Sequence, residues 1–129
     1  MDFKTGKLPA TKDPRDLKLA RYLNVAALPK HPAEFGHDGS VASWGMLGND
    51  QFGDCVFAGA AHETMLWNKI AGRDVAFNDD AVLADYSAVT GFNRNDPATD
   101  QGTNVRDALN FRRKTGSLDA AGVRHKIGA

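Results

Sequence analysis

The sequence predicts a mostly α protein: a helical unit over residues 41–129, preceded by an extended N-terminal arm over residues 1–40. Three observations carry this expectation. Segments 55–70, 79–90 and 104–115 each hold apolar residues at helical spacing between helix start and stop signals. The first forty residues contain four of the five prolines (Pro9, Pro14, Pro29 and Pro32) among many charges, which disfavours regular structure. At 129 residues the chain can bury one modest core but cannot house two full lobes.

Within the arm, Leu17-Lys18-Leu19-Ala20-Arg21-Tyr22-Leu23 can be read two ways. Asp13-Pro14 supplies an N-cap and a first-turn proline for a short helix. Alternatively, Leu17, Leu19 and Leu23 share one face of a strand at period two. Leu17, Leu19, Tyr22, Leu23, Val25 and Leu28 are too apolar for a simple solvated tail. The arm is therefore expected to order by packing on its own domain or on a neighbouring subunit, with a partly disordered tail as the alternative.

The most chemically informative stretch is Asn49-Asp50-Gln51-Phe52-Gly53-Asp54-Cys55-Val56-Phe57-Ala58, which contains the only cysteine. Turn-forming residues give way abruptly to an apolar run, so Asp54 is expected to be an N-cap and Cys55 the first residue of the main helix, 55–70. Unpaired backbone N–H groups and the positive end of the helix dipole stabilise a thiolate there. The neighbouring Asp54 carboxylate opposes that effect. A lone cysteine is otherwise a small buried hydrophobe; in this setting a nucleophile reaching a concave surface is expected. The main helix is apolar nearly all round, which predicts burial on several sides. His62, seven residues after Cys55, lies about 10 Å up the axis, too far for a nucleophile–base contact of roughly 3 Å. It is expected to be a hydrogen-bonded structural histidine.

The second helix, 79–90, has Asn78 as cap, Asp79 and Asp80 in its first turn, Phe77 placed to staple onto Val82, and Gly91 as stop. Val82, Leu83, Tyr86 and Val89 form its buried stripe. The link 92–102 is rich in Asn, Asp and one Pro, which predicts turns. A Ca²⁺ loop from Asn93, Asn95, Asp96 and Asp100 lacks the spacing and closing Glu of an EF-hand. The third helix, 104–115, is expected to start at a Thr103 cap and to bury Val105, Ala108, Leu109 and Phe111. Arg112, Arg113 and Lys114 then complement its dipole on a solvated face. Val123 to Ile127 reads as a connector or strand start.

Sixteen basic residues balance sixteen acidic ones, which argues against a nucleic-acid footprint. No apolar run approaches the roughly 20 residues of a membrane span, and Met1-Asp2-Phe3-Lys4 does not open a signal peptide. One Cys with scattered His31, His37, His62 and His125 offers no paired metal-ligand spacing, and no cofactor motif is present. A single cysteine also excludes an intrachain disulfide and fits a reducing compartment.

The segment around Cys55 resembles the nucleophile segment of papain-like cysteine peptidases. Gly53-Asp54-Cys55 stands at the family's Gly-x-Cys, and Asn49 stands at its oxyanion-hole Gln, six residues upstream of Cys55. Val41-Ala42-Ser43-Trp44 is similar to the entry to the mature domain, and Asp79 to Leu83 to the second helix. Asp100-Gln101-Gly102-Thr103, Ala108-Leu109 and Gly116 are similar to the Gly-rich segment and third helix. The resemblance implies the helical lobe of an α+β protein and an acyl-transfer reaction on a peptide or amide. Cys55 would be the nucleophile, with its backbone N–H and Asn49 steadying the oxyanion. Gly53, Gly102 and Thr103 would contact an extended peptide or protein substrate.

This chain departs from the family pattern in four respects. Asn49 is one methylene shorter than Gln, and Thr103 replaces a second glycine. Phe52 and Asp100 stand about where a bracing disulfide would be. The general-base His and its orienting Asn or Asp would come from a second, β-rich lobe, and His125 is too early to match that His. An inactive fragment is therefore expected. The Gly-Asn-Asp-x-x-Gly-Asp-Cys variant resembles products of bacteria and their phages, implying a cytoplasmic or virion setting. A non-catalytic structural or assembly component of a phage particle is the alternative.

Overall fold

The computed structural model describes residues 6–128, so the reading of Met1 to Lys4 lies outside the described residues. Three helices form: α1 (Cys55–Ile70), α2 (Asp79–Thr90) and α3 (Val105–Lys114). A two-stranded antiparallel ribbon follows, β1 (Ser117–Leu118) and β2 (Arg124–His125), with Ser117 opposite His125 and Leu118 opposite Arg124. The expected mostly α class is what the chain adopts. Among the described residues no helix is long and apolar enough to cross a membrane.

Helix α2 follows its sequence signals closely. Asn78 accepts the Ala81 N–H at 2.9 Å, and Gly91 closes the helix at φ 75°, a left-handed conformation glycine adopts without strain. Phe77 and Val82 both enter the core. Asn78→Ala is expected to lower stability by about 1 kcal/mol, measured by thermal denaturation, because the Ala81 N–H then depends on water alone.

The core lies where α1, α2 and α3 meet. Phe57, Ala58, Ala61 and Met65 of α1 pack with Val82, Leu83 and Tyr86 of α2, together with Leu47, Phe92 and Ala108. The opposite face of α1 is not covered: Trp67 and Ile70 are exposed, so burial is narrower than the all-round apolar pattern suggested.

Helix α3 departs from its expected frame. Asn104, not Thr103, caps it by accepting the Arg106 N–H at 2.9 Å. Thr103 is instead extended chain in contact with the arm. The helix is rolled so that Ala108 and Arg112 are buried, while Val105 and Leu109 are exposed. Arg112, expected on a solvated face, instead inserts beside α1. It bonds Glu63, donates to Thr64 Oγ1 at 2.9 Å and lies over the Trp67 ring. Its long apolar stem makes that burial possible, and the guanidinium fork finds acceptors at its end.

The ribbon is fixed to the helices through carboxylates. Asp85 of α2 accepts the Leu118 N–H and bonds Arg124. Asp119 accepts the Ala121 and Val123 N–H groups and pairs with His125 at 2.7 Å. Burial acts to raise the Asp119 pKa, but His125 and the two N–H groups outweigh it and hold the carboxyl below its ordinary value.

The arm divides into two parts. Near its start, Lys7 pairs in parallel with Thr103: the Thr103 N–H donates to Gly6 O at 2.6 Å and the Leu8 N–H to Thr103 O at 3.0 Å. Asn104 then bonds Thr11 and Arg106 pairs with Asp16, so the arm lies against the start of α3. From Leu17 onward it forms only short 3₁₀ turns, Leu19–Arg21, Val25–Ala27 and Asp38–Ser40. Neither the regular helix nor the strand considered for residues 17–23 is present. Leu17, Leu19, Tyr22, Leu23, Val25 and Leu28 are all exposed, with Leu17 at 80%. Of the two placements expected, these side chains do not pack on the chain's own domain; backbone pairing and polar contacts join the start of the arm to it instead.

Candidate functional site

Cys55 is the first residue of α1 and is half-buried. The chain reaches it through a tightly wound loop. Gly45, Leu47 and Gly48 all have positive φ, at 67°, 57° and 91°. Leu47 is the only non-glycine among the described residues in that region, and its buried side chain compensates a conformation costly for a branched residue. The Asn49 N–H donates to Met46 O, and the Gln51 and Phe52 N–H groups to Gly48 O. Asn49 is half-buried on this loop, before Cys55.

Asp54 occupies the N-cap position but does not cap: no side-chain bond reaches the helix N–H groups. Its carboxylate is wholly buried, and neither oxygen has a hydrogen-bond partner among the described residues. Burial, aided by the fields of Asp100, Asp79 and Asp50, outweighs the opposing pull of its own backbone N–H and pushes its pKa up to about 7. The full negative charge that the sequence puts beside Cys55 is therefore only partly present at neutral pH.

A carboxylate brace holds the loop. Asp100 accepts the Gly53 N–H through both oxygens, at 3.0 and 3.2 Å, and the Tyr86 hydroxyl at 2.8 Å. The same hydroxyl accepts the Gly102 N–H at 3.0 Å. Burial and the bond to Asp100 push the Tyr86 pKa up to about 12. The loop ahead of Cys55 and the Gly102–Thr103 segment are thus joined through two side chains. Phe52 packs its ring against Phe92 in the same region, at 5.1 Å between centroids. A polar clasp stands where the resemblance implies a covalent brace.

Gly53 and Gly102–Thr103 are brought together, but the arm separates them from solvent. Gly6, Gly53, Gly102 and Thr103 are all buried. The backbone N–H and C=O of Thr103 are taken by Gly6 and Leu8.

None of the histidines bonds to Cys55. The His62 Nε2–H donates to Trp44 O at 3.0 Å and Gly45 O at 3.1 Å, the structural role expected for it. His125 pairs with Asp119, His31 contacts Pro32 O, and His37 lies edge-on to Phe35. The Asn93–Thr99 link is ordinary turn chemistry: Asp96 accepts the Ala98 N–H and Thr99 bonds Asn93 and Asp96. Among the described residues no group of three or more His, Cys, Asp or Glu side chains is placed to hold a metal ion.

Several grooves lie around this centre. One of about 1180 Å³ runs past Trp67, Arg112, Arg124 and His125. Another, of about 410 Å³, lies between the Gly48–Phe52 loop and the start of α2, and a third of about 410 Å³ lies between the arm and α3. Cys55 lines none of them.

Sequence reasoning missed Gly6, Asp100 and Tyr86 as parts of this site. Asp100 carried a signal, since it stands at a position the resemblance reserves for a bracing residue. Gly6 carried none, because its role exists only once the arm folds back. Compared with family models, curated proteins and solved structures, the chain matches none of them.

Proposed function

We propose that this chain is the helical lobe of a papain-like cysteine peptidase or amidase, with Cys55 as acyl-transfer nucleophile. The single observation that carries the reading is Cys55 at the first turn of α1, behind a loop clasped by Asp100 to the Gly102–Thr103 segment. A thiolate there attacks the carbonyl carbon, and the negative charge moves to the carbonyl oxygen. The Cys55 backbone N–H and the Asn49 amide are the proposed donors to that oxygen. Collapse of the intermediate expels the amine, which must receive a proton, and leaves a thioester for water to hydrolyse. No described histidine bonds to Cys55, so the proton donor is proposed to come from a second lobe.

The test separates nucleophile from turnover. A peptidyl acyloxymethyl ketone should label Cys55 in the folded chain faster than in the urea-unfolded chain, and Cys55→Ser should abolish labelling. The 129-residue chain alone should not turn over peptide or amide substrates. Labelling no faster than in the unfolded chain would defeat the nucleophile assignment. Turnover that depends on Cys55 would defeat the need for a second lobe.

One observation favours a second reading, a structural or assembly component of a phage particle. The arm exposes the large apolar side chains of Leu17, Leu19, Tyr22, Val25, Leu28 and Phe35, groups suited to burial against a partner.

A further inference from the structure

The arm meets the candidate site through glycines, and the packing there is closed. A methyl group on Gly6 would sit 1.7 Å from the Gly53 carbonyl oxygen, and one on Gly102 would sit 2.3 Å from the Gly6 oxygen. Both contacts are with backbone, which cannot swing aside as a side-chain tip can. Gly6 therefore passes between the Gly53 loop and the Gly102–Thr103 segment as bare main chain, and the exposed Lys7 and Leu8 continue along Thr103.

The bonds that hold them are main-chain bonds, from the Thr103 N–H to Gly6 O and from the Leu8 N–H to Thr103 O. Such bonds do not distinguish the chain's own residues from another extended segment. Among the described residues, the other ties of the arm lie at the surface. Leu8 is exposed, and the Arg106–Asp16 pair lies at the surface, where ion pairs contribute little. Thr103 adds an independent sign of an incomplete match. It is 1% exposed, and its Oγ1 has no hydrogen-bond partner among the described residues.

We propose that the slot between Gly53 and Gly102–Thr103 binds an extended peptide segment bearing glycine at the position of Gly6, and that residues 6–8 of the arm are its resident occupant. The slot selects by exclusion: any side chain at that position collides with the Gly53 carbonyl. An outside segment must displace the arm, so binding and arm release are one equilibrium. This names the substrate class of the site proposed above and rests on that reading for the chemistry that follows binding.

The experiment uses the full chain and two fluorescein-labelled peptides. One has the sequence of residues 5–12, Thr-Gly-Lys-Leu-Pro-Ala-Thr-Lys; the other has alanine in place of its glycine. Two variants release the arm by different means: Gly6→Ala through the methyl clash, and Leu8→Pro through loss of the N–H that bonds Thr103 O. By fluorescence anisotropy, each folded variant should bind the glycine peptide at least about tenfold more tightly than the alanine peptide, since closed packing rejects the methyl. Wild type should bind the glycine peptide at least about tenfold more weakly than either variant, because its own arm competes. If Gly6→Ala does not fold, Leu8→Pro decides the matter.

Equal affinity for the two peptides, no binding to the folded arm-released variants, or wild-type binding as tight as theirs would overturn the proposal. Glycine-selective binding without Cys55 labelling would defeat only the peptidase reading. Cys55 labelling without glycine selectivity would defeat only this one.

Discussion

Replacing Asp54 with asparagine is expected to stabilise the protein by up to about 4 kcal/mol at pH 8 and to leave it nearly unchanged at pH 4. The carboxylate is wholly buried with no hydrogen-bond partner among the described residues, and its pKa is pushed up to about 7 from 3.8. Below the unfolded value both states hold the proton, so Asp54 adds no pH dependence. As pH rises from about 4 to 7, the unfolded chain has lost a proton that the folded chain retains. Stability therefore falls across that window and levels off above it. At about 1.36 kcal/mol per pH unit, the interval between 3.8 and about 7 gives the stated magnitude. Asparagine is a near-isostere of the protonated acid, so it removes the ionisation and keeps the shape. Urea denaturation of both proteins at pH 4, 6 and 8 measures the difference. Parallel stability curves across that range would show that Asp54 does not titrate as its burial requires.

The second large effect is expected at Asp100. Asp100→Ala removes the acceptor for the Gly53 N–H and the Tyr86 hydroxyl together, leaving donors of two buried residues without their partner. At about 1–3 kcal/mol for each unsatisfied group, a loss of about 2–6 kcal/mol follows. Tyr86→Phe is the gauge for half of the clasp. It removes the bond to Asp100 and strands the Gly102 N–H, for a smaller loss of about 1–3 kcal/mol. Labelling of Cys55 by the peptidyl probe should slow in both variants under conditions where they remain folded, since the loop ahead of the nucleophile loses its anchor. An Asp100→Ala protein within about 0.5 kcal/mol of wild type, the range of ordinary surface changes, would show that the clasp is incidental.

The helices were legible in the sequence because their signals are local. Asn78, the acidic first turn, Phe77 with Val82, and Gly91 specify α2 within one stretch of chain, and each acts in the structure as its chemistry requires. The abrupt change from turn residues to apolar residues at Asp54-Cys55 likewise fixes the start of α1. A cap, a staple or a left-handed glycine needs only neighbours a few residues away.

Only the tertiary structure decided the rest. Nothing local says that Asp54 turns inward instead of capping, since both placements satisfy the same backbone. The roll of α3 depends on whether Arg112 can reach Glu63 and Thr64, 49 and 48 residues away, and that choice exposes Val105 and Leu109. Asp100 and Gly53 are 47 residues apart in the chain, and Gly6 acquires its steric constraint only by folding back against Gly53. By itself the sequence determined the mostly α class, the span of α1 and α2 and the placing of Cys55 at a helix start, because these depend on period and capping. The clasp, the buried carboxyl and the occupied slot depend on long-range juxtaposition, in which a residue's role is set by groups that its own segment does not contain.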